Sequence, residues 1–345
     1  MASPGKPAVR PHKFHKRTIS RRNRPLPAIP AVSFHRLAPL SGERPRLRSR
    51  WSRSKKIGPA SMDPDVRETG AAACMPNTAF VLTAAGLTDV GRTRSRNEDD
   101  FHVDAIGEFA IVCDGMGGHA GGDIASRKAV EEISGFLKDS APSEPITVVD
   151  RDDIDRTQTD PAATEPAVGR ALSVARSAVQ KANRAIHDLN LARGFAQGRG
   201  MGTTVAGLWR VPGTAQMVTF HAGDSRVYRL RDGDLRTLTR DHSLYQIWLD
   251  NGGRGTPPQR NIIVRALGTG EDVEPEVAVH SLLPDDVVMI CSDGLNGMVT
   301  DNAIARILTE ERDPARAAAA LVDAANTAGG QDNVTVVVGR FTASA

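Results

Sequence analysis

Cysteine is scarce in this 345-residue chain: Cys74, Cys113 and Cys291 are the only three, and no two stand in a CxxC pair. An odd count without paired spacing argues against a disulfide framework and a structural zinc site, and reads as a reducing, cytoplasmic setting. Aromatic residues make up only 4% of the chain, and no apolar run approaches the roughly 18 residues that a membrane span requires. An integral membrane protein is therefore not expected. The N-terminus is basic but lacks the apolar stretch of a secretory signal. What is present is 40% hydrophobic residues, enough for a substantial core.

Acids are almost missing from residues 1–56, which carry 16 Lys/Arg against the single Glu43. Setting these aside, the chain's 44 basic and 41 acidic residues fall to 28 and 40, so the remainder is acidic by 12. Residues 1–75 mix Pro, Arg and Ser without periodicity, a composition that cannot bury enough apolar surface to offset its ordering entropy. They are expected to form a disordered extension, with one folded domain over 76–345. Residues 1–56 could serve as an electrostatic arm for nucleic acid or another anionic surface. The plainer reading, a solvated tail or a translation start that belongs at Met62, is preferred because few aromatic residues interleave the charges, only Phe14, Phe34 and Trp51.

From Thr78 onward, strand-like runs rich in Val, Ile, Phe and Thr lie at 79–86, 107–113, 203–210, 215–222, 225–230, 286–291 and 333–341. Helical periodicity fits 122–138, 167–192 and 314–328. Many consecutive strands with few crossover helices predict an antiparallel α+β layering. The acidic, Pro-containing stretch 139–166 reads as a solvated insertion, and 243–262 as irregular chain that could flank a substrate.

Four acids sit where strands begin or end: Asp114 after FAIVC, Asp224 after MVTFHAG, Asp293 after DVVMIC, and Asp332 before VTVVVGRF. Each alone is an ordinary turn former. Together they would concentrate negative charge on one rim, which is tolerable only if cations neutralise it. Oxygen ligands without a His/Cys cluster suit Mg²⁺ or Mn²⁺, and a pair of such ions can activate water and clamp a phosphoryl group.

In order, Gly91-Arg-Thr-Arg-Ser-Arg-Asn-Glu-Asp-Asp100, Asp114-Gly-Met-Gly-Gly-His-Ala-Gly-Gly122, Met201-Gly-Thr-Thr204, Gly223-Asp-Ser-Arg226, Arg265-Ala-Leu-Gly268, Ser292-Asp-Gly-Leu295 and Gly330-Gln-Asp-Asn-Val-Thr335 resemble the motifs of the PP2C/PPM family of protein serine/threonine phosphatases, in its bacterial form. The resemblance spans about 78–341. It implies a central β-sandwich of two antiparallel sheets flanked by helices, with a dinuclear Mn²⁺/Mg²⁺ centre. It further implies that Asp114 bridges both metals, Gly115 offers its carbonyl, Asp293 and Asp332 hold the first metal, and Glu98 and Asp99 act around the other, partly through water. Asp224 matches the ligand of a third, weaker metal. Arg94 matches the phosphate-binding arginine, with Arg92 and Arg96 in adjacent registers. His119 is the candidate proton donor to the leaving oxygen, although the eukaryotic branch places its histidine where this chain has Met116.

The expected substrates are phosphoserine and phosphothreonine proteins made by a partner kinase, acted on by a monomer. Two alternatives stand beside this: a catalytically inactive relative that binds phosphoproteins, and a phosphatase tethered through its basic arm. Completeness of the carboxylate set favours activity. His221, His242, Cys113 and Cys291 read as structural.

Overall fold

Alternation of side chains along a strand lets each strand feed two different apolar layers. In β3 (Phe109–Met116), Phe109, Ile111 and Cys113 join one buried cluster, while Ala110 and Val112 join another. The computed structural model describes residues 80–105, 107–117, 121–140, 161–196, 198–212 and 214–343. Residues 1–79, with the expected basic arm and Cys74, lie outside them, as do His119 and 141–160.

One sheet has the order β1-β11-β10-β7-β8, from β1 (Phe80–Asp89), β11 (Val334–Ala343), β10 (Val287–Cys291), β7 (Arg226–Arg231) and β8 (Asp234–Thr237). The other has the order β2-β3-β5-β6-β9, from β2 (Asp99–Val103), β3, β5 (Val205–Arg210), β6 (Gln216–Ala222) and β9 (Glu276–Ser281), with the short β4 (Gly202–Thr203) also paired to β3. Neighbouring strands run antiparallel throughout. Between the sheets lies a core that includes Leu82, Val112, Leu208, Met217, Val288, Ile290, Val337 and Phe341. Close approach depends on Gly86, where a Cβ would stand 2.4 Å from the Phe101 ring.

Helices cover the outer faces. α1 (Gly122–Ser140) and α2 (Pro161–Ala192) pack Ile133, Leu137, Val179 and Ile186 on the second sheet. α5 (Asp301–Glu310) and α6 (Pro314–Thr327) pack Ile304, Leu308 and Leu321 on Tyr228, Met289, Val336 and Val338 of the first. The architecture is the helix-flanked antiparallel sandwich expected from the sequence.

All seven expected strands are present, 203–210 being broken at Thr204 into β4 and β5. The helix expected at 167–192 begins earlier, at Pro161, and continues through Pro166. The stretch 139–166 thus gives its first residues to α1 and its last to α2. Within 243–262 stands α3 (Leu244–Asp250), capped by Ser243, whose hydroxyl accepts from the Gln246 amide. No residue of α3 is buried.

Candidate metal centre

The register of the sheets brings the acids to one end of the sandwich. Asp99 opens β2 directly across from Asp114 near the end of β3. Cys291, at the end of β10, pairs with both Arg226 and Val336, so Asp293 follows next to the starts of β7 and β11. Asp224 comes two residues after β6, and Asp332 two residues before β11.

These carboxyls converge on Asp114. Burial lifts the Asp114 carboxyl well above its ordinary range, and Asp99, Asp293, Asp224 and Asp332 each push it further. Burial raises Asp293 too, with Asp332 adding to it and a hydrogen bond to the Asp114 carboxyl opposing it. Asp99 and Asp224 are each pushed up to about 7, chiefly by burial. Protonation is how a cluster of buried acids escapes mutual repulsion when no cation is present.

The backbone beneath Asp114 is fixed from three sides. Its amide donates to Thr204 Oγ1 (3.0 Å), and its carbonyl accepts from the Thr204 amide (2.8 Å) and Thr203 Oγ1 (2.9 Å). Thr204 Oγ1 in turn meets Ser225 Oγ at 2.7 Å, which ties the Met201–Thr204 motif to the segment bearing Asp224. Gly115 donates its amide to the Glu98 carbonyl (3.0 Å). A Cβ on Gly115 would stand 2.2 Å from the Gly122 carbonyl oxygen, so only glycine allows strand and helix to meet here. The Glu98 carboxyl lies beside Gly122, whose Cβ would sit 3.0 Å from it.

Asp99 is held by one oxygen and bare at the other. Its Oδ2 accepts from Ser292 Oγ (2.8 Å) and Thr335 Oγ1 (2.7 Å), while its buried Oδ1 meets no donor in the protein. Ser292 occupies the N-cap of α4 (Asp293–Asn296) yet gives its hydroxyl to Asp99 instead of capping the helix. Asp224 Oδ1 is likewise buried without a donor. Two bare, inward carboxylate oxygens among oxygen-only donors fit hard divalent cations.

The rim is cationic. Arg94 Nη2 donates to Asp332 Oδ2 (2.7 Å), which puts its guanidinium at the edge of the carboxylate cluster. Asn333 clamps the arginine loop: Nδ2 donates to the carbonyls of Val90 and Arg96 (both 3.0 Å), and Oδ1 accepts from the Glu98 amide (2.8 Å). Sequence reading placed Asn333 only in a motif and missed this role, as it missed the service of Ser292 and Thr335 to Asp99. Their position inside the quoted motifs was the available signal.

A second group of possible ligands, His221, His242 and Glu276, keeps its donor atoms within 4.8 Å of one another. The two imidazoles stack at 4.5 Å with planes only 7° apart. A metal must lie close to the plane of each imidazole that binds it, and parallel stacked planes do not meet. Arg265 Nη1 also stands 2.8 Å from His242 Nε2. His242 instead braces the Asp224 turn, since its Nδ1 accepts from the Gly223 amide (3.2 Å) and its own amide donates to the Gly223 carbonyl (2.9 Å). Cys113 and Cys291 are buried, and burial pushes the Cys291 thiol up to about 12.

A profile described as protein phosphatase 2C matches residues 91–325. The chain belongs to the protein phosphatase 2C family. It is 34% identical over 271 residues to the serine/threonine protein phosphatase PstP of Mycobacterium tuberculosis, a match covering 76% of this chain and 46% of that protein. The chain therefore spans about half the length of that relative. It is 32% identical over 259 residues to the serine/threonine phosphatase stp of Listeria welshimeri, covering 73% and 92% of the two chains. Among solved structures, the PstP catalytic domain with two manganese ions superposes with a TM-score of 0.61 at 32% identity, covering 76% of this chain and all of that one.

Proposed function

We propose that this chain hydrolyses phosphoserine and phosphothreonine in proteins with the help of Mn²⁺ or Mg²⁺, reversing a partner kinase. The observation that carries this reading is the convergence of Asp99, Asp224, Asp293 and Asp332 on the buried Asp114, within a chain of the protein phosphatase 2C family. Asp114, the Gly115 carbonyl, Asp293 and Asp332 would hold two ions together with Glu98 and Asp99, and Asp224 would serve a third, weaker ion. Divalent ions in such a site lower the pKa of bound water towards neutrality and neutralise phosphoryl charge.

The chain's own residues set the geometry. Ser292 and Thr335 hold Asp99 through Oδ2 and leave its buried Oδ1 free to meet a cation. Thr203 and Thr204 keep Asp114 in register. Arg94 exchanges Asp332 for phosphate oxygens, for which its planar fork is suited. Delivery of a proton to the leaving oxygen is assigned to His119, an imidazole that can donate near neutral pH.

Turnover of a phosphothreonine peptide and of a small aryl phosphate should require added Mn²⁺ or Mg²⁺. It should collapse in Asp114→Asn and Asp293→Asn while circular dichroism stays that of the parent. Undiminished turnover by either variant, or by the parent in EDTA, would refute the reading.

A further inference from the structure

The loop that carries Arg94 presents two more arginines. We propose that Arg92 and Arg96 select phosphoprotein segments with a second anionic group, a carboxylate or a second phosphate, within about two residues of the phosphorylated serine or threonine. This rests on the phosphatase reading above and adds the substrate class.

The backbone of this loop is fixed while its side chains are not. The amides of Arg92 and Thr93 donate to the Gly330 carbonyl (2.7 and 3.2 Å), and Asn333 holds the carbonyls of Val90 and Arg96. The stem of Arg92 lies over Gly330, where an added Cβ would come within 2.8 Å of Arg92 Cγ. The side chains of Arg92 and Arg96 are nonetheless 56% and 65% exposed. Two stronger pairs in the fold look different: Arg226 grips Asp241, and Arg231 grips the fully buried Asp286, each through two hydrogen bonds.

The present partners of the two arginines are weak. Arg92 Nη1 donates to Asp89 Oδ1 and to the Gly91 carbonyl, both at a long 3.3 Å, and Asp89 Oδ1 already accepts from the Gly91 amide (2.8 Å) and Asn326 Nδ2 (3.1 Å). Losing Arg92 would leave that carboxylate bonded. Arg96 stands 3.9 Å from Asp123, beyond hydrogen-bond reach. Exposed pairs of this kind contribute little, so either guanidinium can turn to a substrate anion at small cost.

Position supplies the selectivity. Arg94 is at the edge of the carboxylate cluster, with Arg92 two residues before it and Arg96 two residues after it in the same loop. Alternate residues of an extended peptide are about 7 Å apart, a distance that flanking side chains of one short loop can bracket. Three arginines within residues 92–96 concentrate positive charge on this loop, at the edge of the carboxylate cluster.

The test uses the full chain with Mn²⁺ and compares phosphothreonine peptides flanked by Glu, by phosphoserine or by Gln, with an aryl phosphate as reference. The parent's kcat/KM should favour Glu over Gln flanks by about four- to tenfold, each arginine contributing about two- to threefold as an exposed contact. In the double variant Arg92→Gln/Arg96→Gln that ratio should fall below about twofold, and Arg92→Lys/Arg96→Lys should keep much of it. Comparing variants cancels any effect of the basic N-terminal segment, which all of them share. Preference for the phosphoserine peptide over the Glu peptide would assign phosphate as the favoured second anion, and the reverse a carboxylate. Aryl phosphate turnover with a flat flank profile in the parent would overturn this inference alone, as would an equal fall on every substrate in the double variant. Failure to turn over even the aryl phosphate would remove the phosphatase reading and this inference with it.

Discussion

Asp224→Asn offers a test of the acid cluster that needs no substrate. The Asp224 carboxyl is buried, one oxygen has no donor, and its pKa is pushed from 3.8 up to about 7, chiefly by burial and then by Asp293. Without metal, the folded state keeps a proton that the unfolded chain releases near 3.8. That contribution to stability is complete below about pH 4 and is lost as pH rises through about 7. Between pH 5 and 8 the loss comes to about 2.5 kcal/mol. The parent's own profile mixes in an opposite trend, because His242 is lowered to about 4 and His221 is lowered as well, so their contribution grows as pH rises towards 6.5. Asparagine does not titrate, and the difference between variant and parent cancels the histidines. In EDTA, the variant should therefore gain on the parent by about 2.5 kcal/mol from pH 5 to pH 8, or roughly 5–10 °C in Tm for a domain of this size. Added Mn²⁺ at pH 8 should stabilise the parent more than the variant, which lacks an anionic ligand. Thermal or urea unfolding across the pH series measures both. A variant-minus-parent difference that stays within about 0.5 kcal/mol over this range would refute the argument.

Arg94→Ala should cost about tenfold to a hundredfold in kcat/KM for an aryl phosphate, mostly in KM, the loss expected for a charge-assisted contact formed in the ground state. Arg94→Lys should restore part of it, since a point charge cannot reproduce the fork, and a parent-like Arg94→Ala would refute the assignment. Gly294→Ala would place a Cβ 1.9 Å from the Asn333 carbonyl oxygen, a backbone contact that cannot yield, so urea unfolding should show a loss of more than about 2 kcal/mol. Removing residues 1–75 should leave kcat and KM for the aryl phosphate within about threefold, which steady-state kinetics on the shortened chain would check.

The sandwich was legible because its inner strands are nearly continuous apolar runs, as in VVMIC of β10, where all five residues are buried. The strands that were not foreseen lie at or near sheet edges. β2 reads Asp-Asp-Phe-His-Val, every residue only half-buried, and its acids are placed for the site and not for a core. β8 and β9 are largely exposed, so alternation carried no strong signal in them. α3 hid for a related reason: its Leu244, Ile247 and Leu249 are exposed, and a helix that buries nothing leaves no clear stripe. The acids at the strand ends could be picked out one by one, but their meeting required the antiparallel registers that set Asp99 opposite Asp114 and Cys291 opposite Val336. The hydroxyls of Ser292 and Thr335 stood inside the quoted motifs, but their service to the site depends on how the two sheets pack, which sets them against the Asp99 carboxylate of β2 in the opposite sheet.

Asn333 gives the arginine loop a fixed circumference. One side chain holds the carbonyls at 90 and 96 and the amide at 98, so the count of residues between those points is set by the span of a single amide group. Insertions or deletions there would break the closure and displace Arg94 from Asp332. The side chains at 92 and 96 project from the ring without taking part in closing it, so their identity can change while the phosphate grip stays where it is. A loop built this way keeps its length constant and leaves its outward residues open to exchange.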